Sequence, residues 1–235
     1  MGRNWSRALY RPGDAESYYA WARFVQGVLS EEHLANAEQL ANAGKNRRIV
    51  RLLHRLRGEW CLERGEWALA AESLREAVSM ARAVGQTGAE AETQLALAQF
   101  QLGQLADPRR EAEQLANARQ PSHRALADLW FAIGDRKQAT KHALEAYKWA
   151  WADGEPFVHR YGLNKARALL EKLGAEIPNL PPYDPAKDEK FPWEDEVAAA
   201  IEKLRTELLK QGAGSVQFVA ADIRLAIGPS PFVGR

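Results

Sequence analysis

The hexapeptide Glu38-Gln-Leu-Ala-Asn-Ala43 recurs unchanged as Glu113-Gln-Leu-Ala-Asn-Ala118, 75 residues later (113 − 38). Self-similarity at a fixed interval is typical of repeat proteins, and this interval equals about two units of 34 to 40 residues. A glycine between two helical patterns also recurs, at Gly65, Gly103 and Gly134, with intervals of 38 (103 − 65) and 31 (134 − 103) residues. Glycine suits the left-handed C-cap of a helix because it has no Cβ. The spacing therefore predicts helical pairs that repeat about every 35 residues.

Apolar residues between these glycines follow a helical period. Small and apolar side chains recur at i, i+4, i+7 and i+11 in two stripes, Ala70, Leu74, Ala77, Ala81 and Ala139, Ala143, Ala146, Ala150. Such stripes place small side chains on one helix face, where a second helix packs closely. Val, Ile and Thr are scarce before residue 216, which also favours helix. We predict an all-α chain with helices at 14–28, 31–43, 46–64, 66–84, 88–102, 109–118, 122–133, 135–152, 156–173 and 193–210.

The helical pairs resemble the tetratricopeptide repeat (TPR), whose first helix carries Trp, Leu-Gly and Tyr and whose second carries Ala, Phe and Ala. The matching positions before Gly65 and after it are His54, Arg57-Gly58, Cys61, Ala70, Leu74 and Ala77. Around Gly134 they are His123, Leu126-Ala127, Trp130, Ala139, Ala143 and Ala146. In the middle repeat Pro108 takes the place of the second-helix alanine, and a short insertion at 105–107 would restore Ala112. The resemblance covers residues 14–175 and implies a right-handed superhelix of antiparallel hairpins, a TPR-like α-solenoid.

The chain changes character after residue 175. Five prolines in 176–192 predict an extended connector lying along the last hairpin, since proline lacks a backbone donor. Residues 193–211 predict a helix that caps the stack, with acids in its first turn, bases near its end and an apolar stripe, Val197, Ile201, Leu204 and Leu208.

Residues 212–235 form a flexible or partner-docking tail in this interpretation, because they are apolar and rich in β-formers after a glycine-rich hinge. Such a tail could also support oligomerisation. The closing Phe232-Val-Gly-Arg235 is similar to the entry sequence of STAND-type ATPase domains, and arrays of this kind accompany bacterial signalling proteins of that type. A fragment of a STAND-type regulator is therefore one alternative.

Composition and motifs favour binding over catalysis. The 32 basic and 31 acidic residues leave a net charge of +1, which gives no reason to expect nucleic acid or a membrane as partner. One cysteine and the lack of an apolar span or secretory signal predict a cytoplasmic protein. Phosphate-loop, dinucleotide, zinc-protease and hydrolase motifs are missing. Cys61 and His54 lie two helical turns apart, too far for a catalytic pair. We therefore expect no catalytic residue, cofactor or metal.

The resemblance implies that the first helix of each repeat lines a concave groove that binds a peptide or protein. Position by position, this groove comprises Leu52, Arg55, Glu59, Leu62 and Glu63, then Thr93, Leu97, Phe100 and Gln101, then Arg124, Asp128 and Phe131, with Tyr161, Asn164 and Lys165 from the final hairpin. Leu62, Phe100 and Phe131 would be apolar anchors among charged groups, although both phenylalanines fit a hairpin core equally well. A non-catalytic scaffold or sensor module is the leading prediction. We expect charge reversal at Arg55 and Arg124 to weaken partner binding with little change in melting temperature.

A basic cluster at 45–57, including Lys45, Arg48 and Arg51, supports a second interpretation. It could be an anion patch for an acidic peptide, phosphate or nucleic acid. Glu59 and Glu63 lie within one or two turns of Arg55, so a solvated face with local ion pairs is the alternative. A continuous basic stripe from this cluster to residues 109–110 and 119–124 would favour nucleic acid.

Overall fold

The computed structural model of the chain describes residues 13–184 and 193–211. Within these ranges the backbone forms ten α-helices and no β-strand. They are α1 (Asp14–Val25), α2 (Glu31–Ala43), α3 (Arg47–Glu63), α4 (Trp67–Arg82), α5 (Ala89–Gln101), α6 (Pro108–Ala116), α7 (His123–Ile133), α8 (Arg136–Trp151), α9 (Arg160–Leu173) and α10 (Glu194–Gln211). The all-α prediction is confirmed for these residues. The predicted tail at 212–235 and residues 185–192 of the predicted connector lie outside them.

The helix ends follow the local sequence closely. Gly65, Gly103 and Gly134 have φ values of 73°, 68° and 90°, so the predicted left-handed C-caps are confirmed. The middle repeat also behaves as the insertion implies. Pro108 occupies the first turn of α6, where its missing N–H costs nothing, and the side chain of Asp107 accepts a hydrogen bond from the Arg110 N–H. Because α6 begins at Pro108, Ala112 faces the core and is fully buried.

The described residues divide into two compact units. Unit 1 contains 13–147 and 164–177, and unit 2 contains 148–163, 178–184 and 193–211. In unit 1 each of the helices α1 to α6 contacts the next one along the chain. The odd-numbered helices also contact one another, α1 with α3, α3 with α5, and α5 with α7. Unit 1 is therefore a row of helical hairpins whose odd-numbered helices are neighbours.

Small side chains allow the hairpin of α3 and α4 to close tightly. A core of buried residues joins these helices to α5, namely Cys61, Ala70, Ala71, Leu74, Ala77, Val78, Ala91 and Ala98. Gly58 faces this core from the middle of α3, and a Cβ built there would lie 2.4 Å from Leu74 Cγ. The glycine is therefore required by the close approach of α4, not by its backbone conformation.

In unit 2, the beginning of the connector packs on the loop after α8. The Trp151 Nε1–H donates a 2.8 Å hydrogen bond to the Pro181 carbonyl, and the rings of Phe157 and Tyr183 meet edge to face at 4.6 Å. Gly154, with φ 95°, lies beneath this segment, where a Cβ would be 2.5 Å from the Tyr183 nitrogen. None of the described helices combines the length and apolar character that a bilayer span requires.

The Gly58 contact gives a direct test of the hairpin packing. Replacing Gly58 by Ala gains about 1 kcal/mol of helix propensity but costs about 1–3 kcal/mol for overpacking against Leu74, which is fully buried. We therefore expect urea titrations to show that the Gly58→Ala variant has lost up to about 2 kcal/mol of unfolding free energy. The Gly58→Ala/Leu74→Ala double variant should lose less unfolding free energy than the two single variants lose together. The reason is that removing the Leu74 side chain also removes its clash with the new Cβ. Strict additivity would show that this contact does not limit the packing.

Candidate functional site

A chain of ion pairs links α3, α5 and α7. Arg55 Nη1 on α3 lies 2.6 Å from Glu90 Oε2 on α5. Arg124 on α7 contacts both other helices, through Nη1 at 2.6 Å from Glu59 Oε1 on α3 and through Nη2 to Glu90 Oε1. Two guanidinium groups and two carboxylates therefore alternate across three neighbouring helices. We call Arg55, Glu59, Glu90 and Arg124 the interhelical charge network.

Helix geometry explains how the sequence brings these groups together. Arg55 and Glu59 are four residues apart on α3, so their side chains share one face. Glu90 lies in the first turn of α5, where the positive end of the helix dipole favours a carboxylate. The contacts of α5 with both α3 and α7 then bring Glu90 between Arg55 and Arg124. The network thus depends on the packing of the odd-numbered helices.

The interhelical charge network is partly buried. Glu59 is 2% exposed and the Arg124 side chain 19%, so this pair is largely shielded from water. Desolvation raises the pKa of Glu90, but the charges of Arg55 and Arg124 outweigh it, and the pKa lies below the usual range. Glu90 is therefore ionised in the folded protein at neutral pH. Removing one member of such a pair is costly because the opposite charge stays in a poorly hydrated place.

One further ion pair shows that the row of odd-numbered helices bends. Lys165 on α9 contacts Glu63 on α3, with α5 and α7 between them in chain order. Packed helices lie about 8–10 Å apart, so three successive steps in a flat row would separate α3 from α9 by roughly 25–30 Å. That is more than a lysine and a glutamate side chain can bridge. Within unit 1, α3, α5, α7 and α9 therefore do not form a flat row.

Asp128 lies on α7, one turn after Arg124. Its side chain is exposed, yet desolvation raises its pKa to about 6. Glu59 raises the value further, whereas Arg124 and Lys165 lower it. Water therefore reaches this carboxylate, although protein surrounds it on several sides. Phe131, three residues further along α7, is 39% exposed, so a charged and an apolar group are accessible near each other.

A small cavity adjoins the Arg55–Glu90 pair. It measures about 150 Å³ and lies between α3 and the junction of α4 with α5. Its lining includes Arg51, Leu52, Arg55, Ala81, Gln86 and Glu90. Arg51 Nη1 donates a hydrogen bond to Gln86 Oε1, which ties the α4–α5 junction to α3. The cavity therefore offers both polar groups and an apolar wall.

The structure distributes the predicted groove residues unevenly. Arg55, Glu59 and Arg124 come together in the charge network, with Glu63 in contact with Lys165 and Asp128 nearby. Accessible or half-buried positions are also found for Leu62, Leu97, Phe100, Gln101, Phe131 and Asn164. Leu62 packs against the α3–α4 core, which makes it a poor anchor for a partner. Tyr161 belongs to unit 2.

Two predicted groove residues, Thr93 and Glu59, are buried and cannot contact a partner, and one important residue was missed. Thr93 is 1% exposed and its hydroxyl donates to the Ala89 carbonyl inside α5, so it does not line the face. Glu90, absent from the predicted groove, instead joins two arginines. An acidic residue in the first turn of an odd-numbered helix was the available signal, but its partners lie 34 and 35 residues away in sequence.

The basic cluster makes contacts with neighbouring helices. Lys45 and Arg48 are exposed near the start of α3, while Arg51 contacts Gln86. Arg57 pairs with Glu31 at 2.6 Å and with Glu38 at 3.0 Å, both on α2. Arg55 and Arg57 thus pair with carboxylates on α5 and α2. The predicted partners on α3, Glu59 and Glu63, instead contact Arg124 and Lys165.

The environment of Cys61 favours a structural role for this residue. Desolvation raises the pKa of buried Cys61 to about 11, and its contact with Glu66 acts in the same direction, so the thiol stays protonated at neutral pH. Such a thiol is a weak nucleophile. In the residues that the structure describes, no three His, Cys, Asp or Glu side chains are grouped to hold a metal ion.

His123 and His142 form a pair between α7 and α8. Their Nδ1 atoms are 2.9 Å apart and their rings stack at 5.2 Å, so one neutral ring donates its N–H to the other. Burial, then the proximity of His123 and Lys141, lowers the pKa of His142 to about 4, although Glu145 raises it. The unfolded chain takes up this proton near pH 6.5.

The histidine pair predicts acid sensitivity. The unfolded state binds more protons than the folded state between about pH 6.5 and pH 4, so the free energy of unfolding should fall as pH decreases through that window. The slope should be at most about 1.4 kcal/mol per pH unit, with no loss from His142 above pH 6.5. Urea titrations at several pH values should show this slope removed in a His142→Gln variant and kept in a His54→Gln control. Parallel profiles for wild type and His142→Gln would contradict the assignment.

The buried pair changes the expectation that charge reversal at Arg124 leaves stability intact. An Arg124→Gln variant should lose about 3 kcal/mol of unfolding free energy, because Glu59 is shielded from water. The Glu59→Gln/Arg124→Gln double variant should lose less, since no charge is then left behind. Arg109→Gln, which removes an exposed pair with Asp135, is the matched control and should cost under about 1 kcal/mol. Equal losses in the Arg124 and Arg109 variants would rule out the role given to the network.

Comparison with known proteins adds no family to this description. No protein-family model, curated protein or solved structure matches the chain. Any function assigned to this face of unit 1 therefore depends on the contacts described above.

Proposed function

We propose that unit 1 is a non-catalytic scaffold or sensor module that binds an extended peptide or protein segment along the concave face of α3, α5, α7 and α9. The observation that carries this proposal is the bend indicated by the Lys165–Glu63 pair, together with the charge network that spans the same helices. A concave face built from one helix of every hairpin presents regularly spaced side chains to a partner. In this proposal the hairpins continue as a TPR-like superhelix.

The charges on this face suggest how a partner is selected. Two guanidinium groups and two carboxylates make the interhelical charge network neutral as a whole, so attraction by net charge contributes little. Asp128 remains accessible and, with a pKa of about 6, is ionised at neutral pH. Phe131 supplies an apolar contact on the same helix. We propose that the partner presents an apolar side chain to Phe131 and an N–H donor or cation to Asp128.

The cavity beside Arg55 and Glu90 provides a second point of selection. Its volume of about 150 Å³ suits a small side chain, and its lining combines guanidinium groups with alanine and leucine surfaces. Anchors that enter pockets contribute most of the energy in many interfaces. In the proposed complex, one partner side chain fills this cavity while another contacts Phe131.

The nucleic-acid alternative receives less support from the charge pattern. Arg55, Arg57, Arg109 and Arg124 each contact a carboxylate. Carboxylates interleaved with the arginines reduce the counterion release that drives nucleic-acid binding. The exposed Lys45, Arg47 and Arg48 make only a small patch. We therefore propose that the partner is a protein or peptide. We also propose that the protein is cytoplasmic and catalyses no reaction.

Selection of peptides by the concave face tests this proposal, whatever the partner is. A phage-displayed library of random peptides is panned on the immobilised full chain, and enriched peptides are synthesised for titration. Phe131→Ala should raise their dissociation constants about tenfold or more, and Asp128→Asn should do so for peptides that carry a basic residue. Leu69→Ala removes an exposed leucine from α4 and serves as the matched control, with no change expected. Peptides that bind all variants equally, or a library without enrichment, would overturn the proposal.

A further inference from the structure

The helix α10 of unit 2 carries an exposed apolar stripe. Trp193, immediately before the helix, is 55% exposed, and Val197 and Leu204 are 44% and 49% exposed. Ile201 lies between them and is half-buried. Steps of four, four and three residues put these side chains on one helix face. Large apolar side chains exposed in a continuous stripe mark an association surface.

The charges of α10 are distributed unevenly along its length. Residues 193–201 carry three acids, Glu194, Asp195 and Glu196, and no base, for a charge of −3. Residues 202–211 carry three bases and two acids, Lys203, Arg205, Lys210, Glu202 and Glu207, for a charge of +1. In a parallel pair of such helices, the two segments of charge −3 would lie side by side and repel each other. In an antiparallel pair, the segment of charge −3 of each helix lies beside the segment of charge +1 of the other. The two helix dipoles then also point in opposite directions, which is favourable.

We propose that α10 pairs antiparallel with α10 of a second copy of this chain, about a two-fold axis near the middle of the helix. The stripe Val197, Ile201 and Leu204 has the spacing of the seam of a helix pair. A two-fold axis brings the same patch of both copies together, and the charge pattern of α10 is complementary to itself in this orientation. The occupant of the stripe is therefore a second copy rather than an unrelated partner.

The size of the helix limits the strength of the pairing. The 18 residues of α10 extend about 27 Å, and a single pair of such helices gives a small interface compared with the roughly 1,200–2,000 Å² of stable complexes. The dimer is therefore reversible and depends on protein concentration. Because α10 belongs to unit 2, this association goes beyond the binding proposed for unit 1 and is independent of it.

Sedimentation equilibrium of the full chain across the micromolar range tests the pairing. The weight-average mass should rise from one chain towards two with increasing concentration. The Val197→Gln/Leu204→Gln variant should stay at one chain, because glutamine keeps helix propensity while removing the apolar seam. Ala199→Gln, on the opposite face of α10, is the matched control and should associate like the wild type. A wild-type chain that stays monomeric overturns the proposal. So does a Val197→Gln/Leu204→Gln variant that melts lower than the wild type at a concentration where both are monomeric, because the stripe would then pack against its own chain.

A charge swap tests the orientation. Replacing Glu194, Asp195 and Glu196 by Lys should raise the dimer dissociation constant by about tenfold or more, because both ends then become positive. Adding Lys203→Glu, Arg205→Glu and Lys210→Glu to the same chain should restore association, since positive and negative ends again face each other. In a parallel pair the combined variant would set like charges together at both ends. Failure of the combined variant to regain association overturns the antiparallel arrangement.

Discussion

The pairing of Arg124 with Glu59 is the interaction on which the candidate site depends. Glu59 is a carboxylate shielded from water on the face where three helices meet, and such a group is tolerated only with a cation in contact. Arg124 supplies that cation and simultaneously contacts Glu90. The guanidinium group therefore fixes α7 relative to both α3 and α5. The accessible groups on α7, Asp128 and Phe131, take their positions from this arrangement.

Close packing of the hairpins creates the conditions for that network. Gly58 and the alanines of α4 let the two helices of one hairpin approach closely, so the next odd-numbered helix can also reach α3. Larger side chains would hold the helices apart and leave Arg124 unable to contact Glu59. The small residues therefore set the distances between the helices, and the ion pairs set how the helices are aligned with one another.

Local features of the fold were predictable from sequence, whereas the site was predictable only in part. Turn glycines and helical periodicity placed all ten described helices to within about four residues, because caps and stripes are encoded by neighbouring residues. The placement of Arg55, Glu59 and Arg124 on one side of neighbouring helices also followed from the repeat pattern. The importance of Glu90 and the burial of Thr93 did not, because both depend on how α5 is rotated against its neighbours. That rotation is set by long-range packing, on which a single sequence carries little information.

The contact of Lys165 with Glu63 has a consequence for how unit 1 unfolds. Repeat proteins usually behave as one-dimensional chains in which each repeat interacts only with the next, so that their ends fray independently. A contact between α9 and α3 joins segments that are about 100 residues apart in sequence and links the last hairpin to an early one. Loss of either segment then removes support from the other. This ring-like connection favours all-or-none unfolding of unit 1 in place of the gradual loss of terminal repeats.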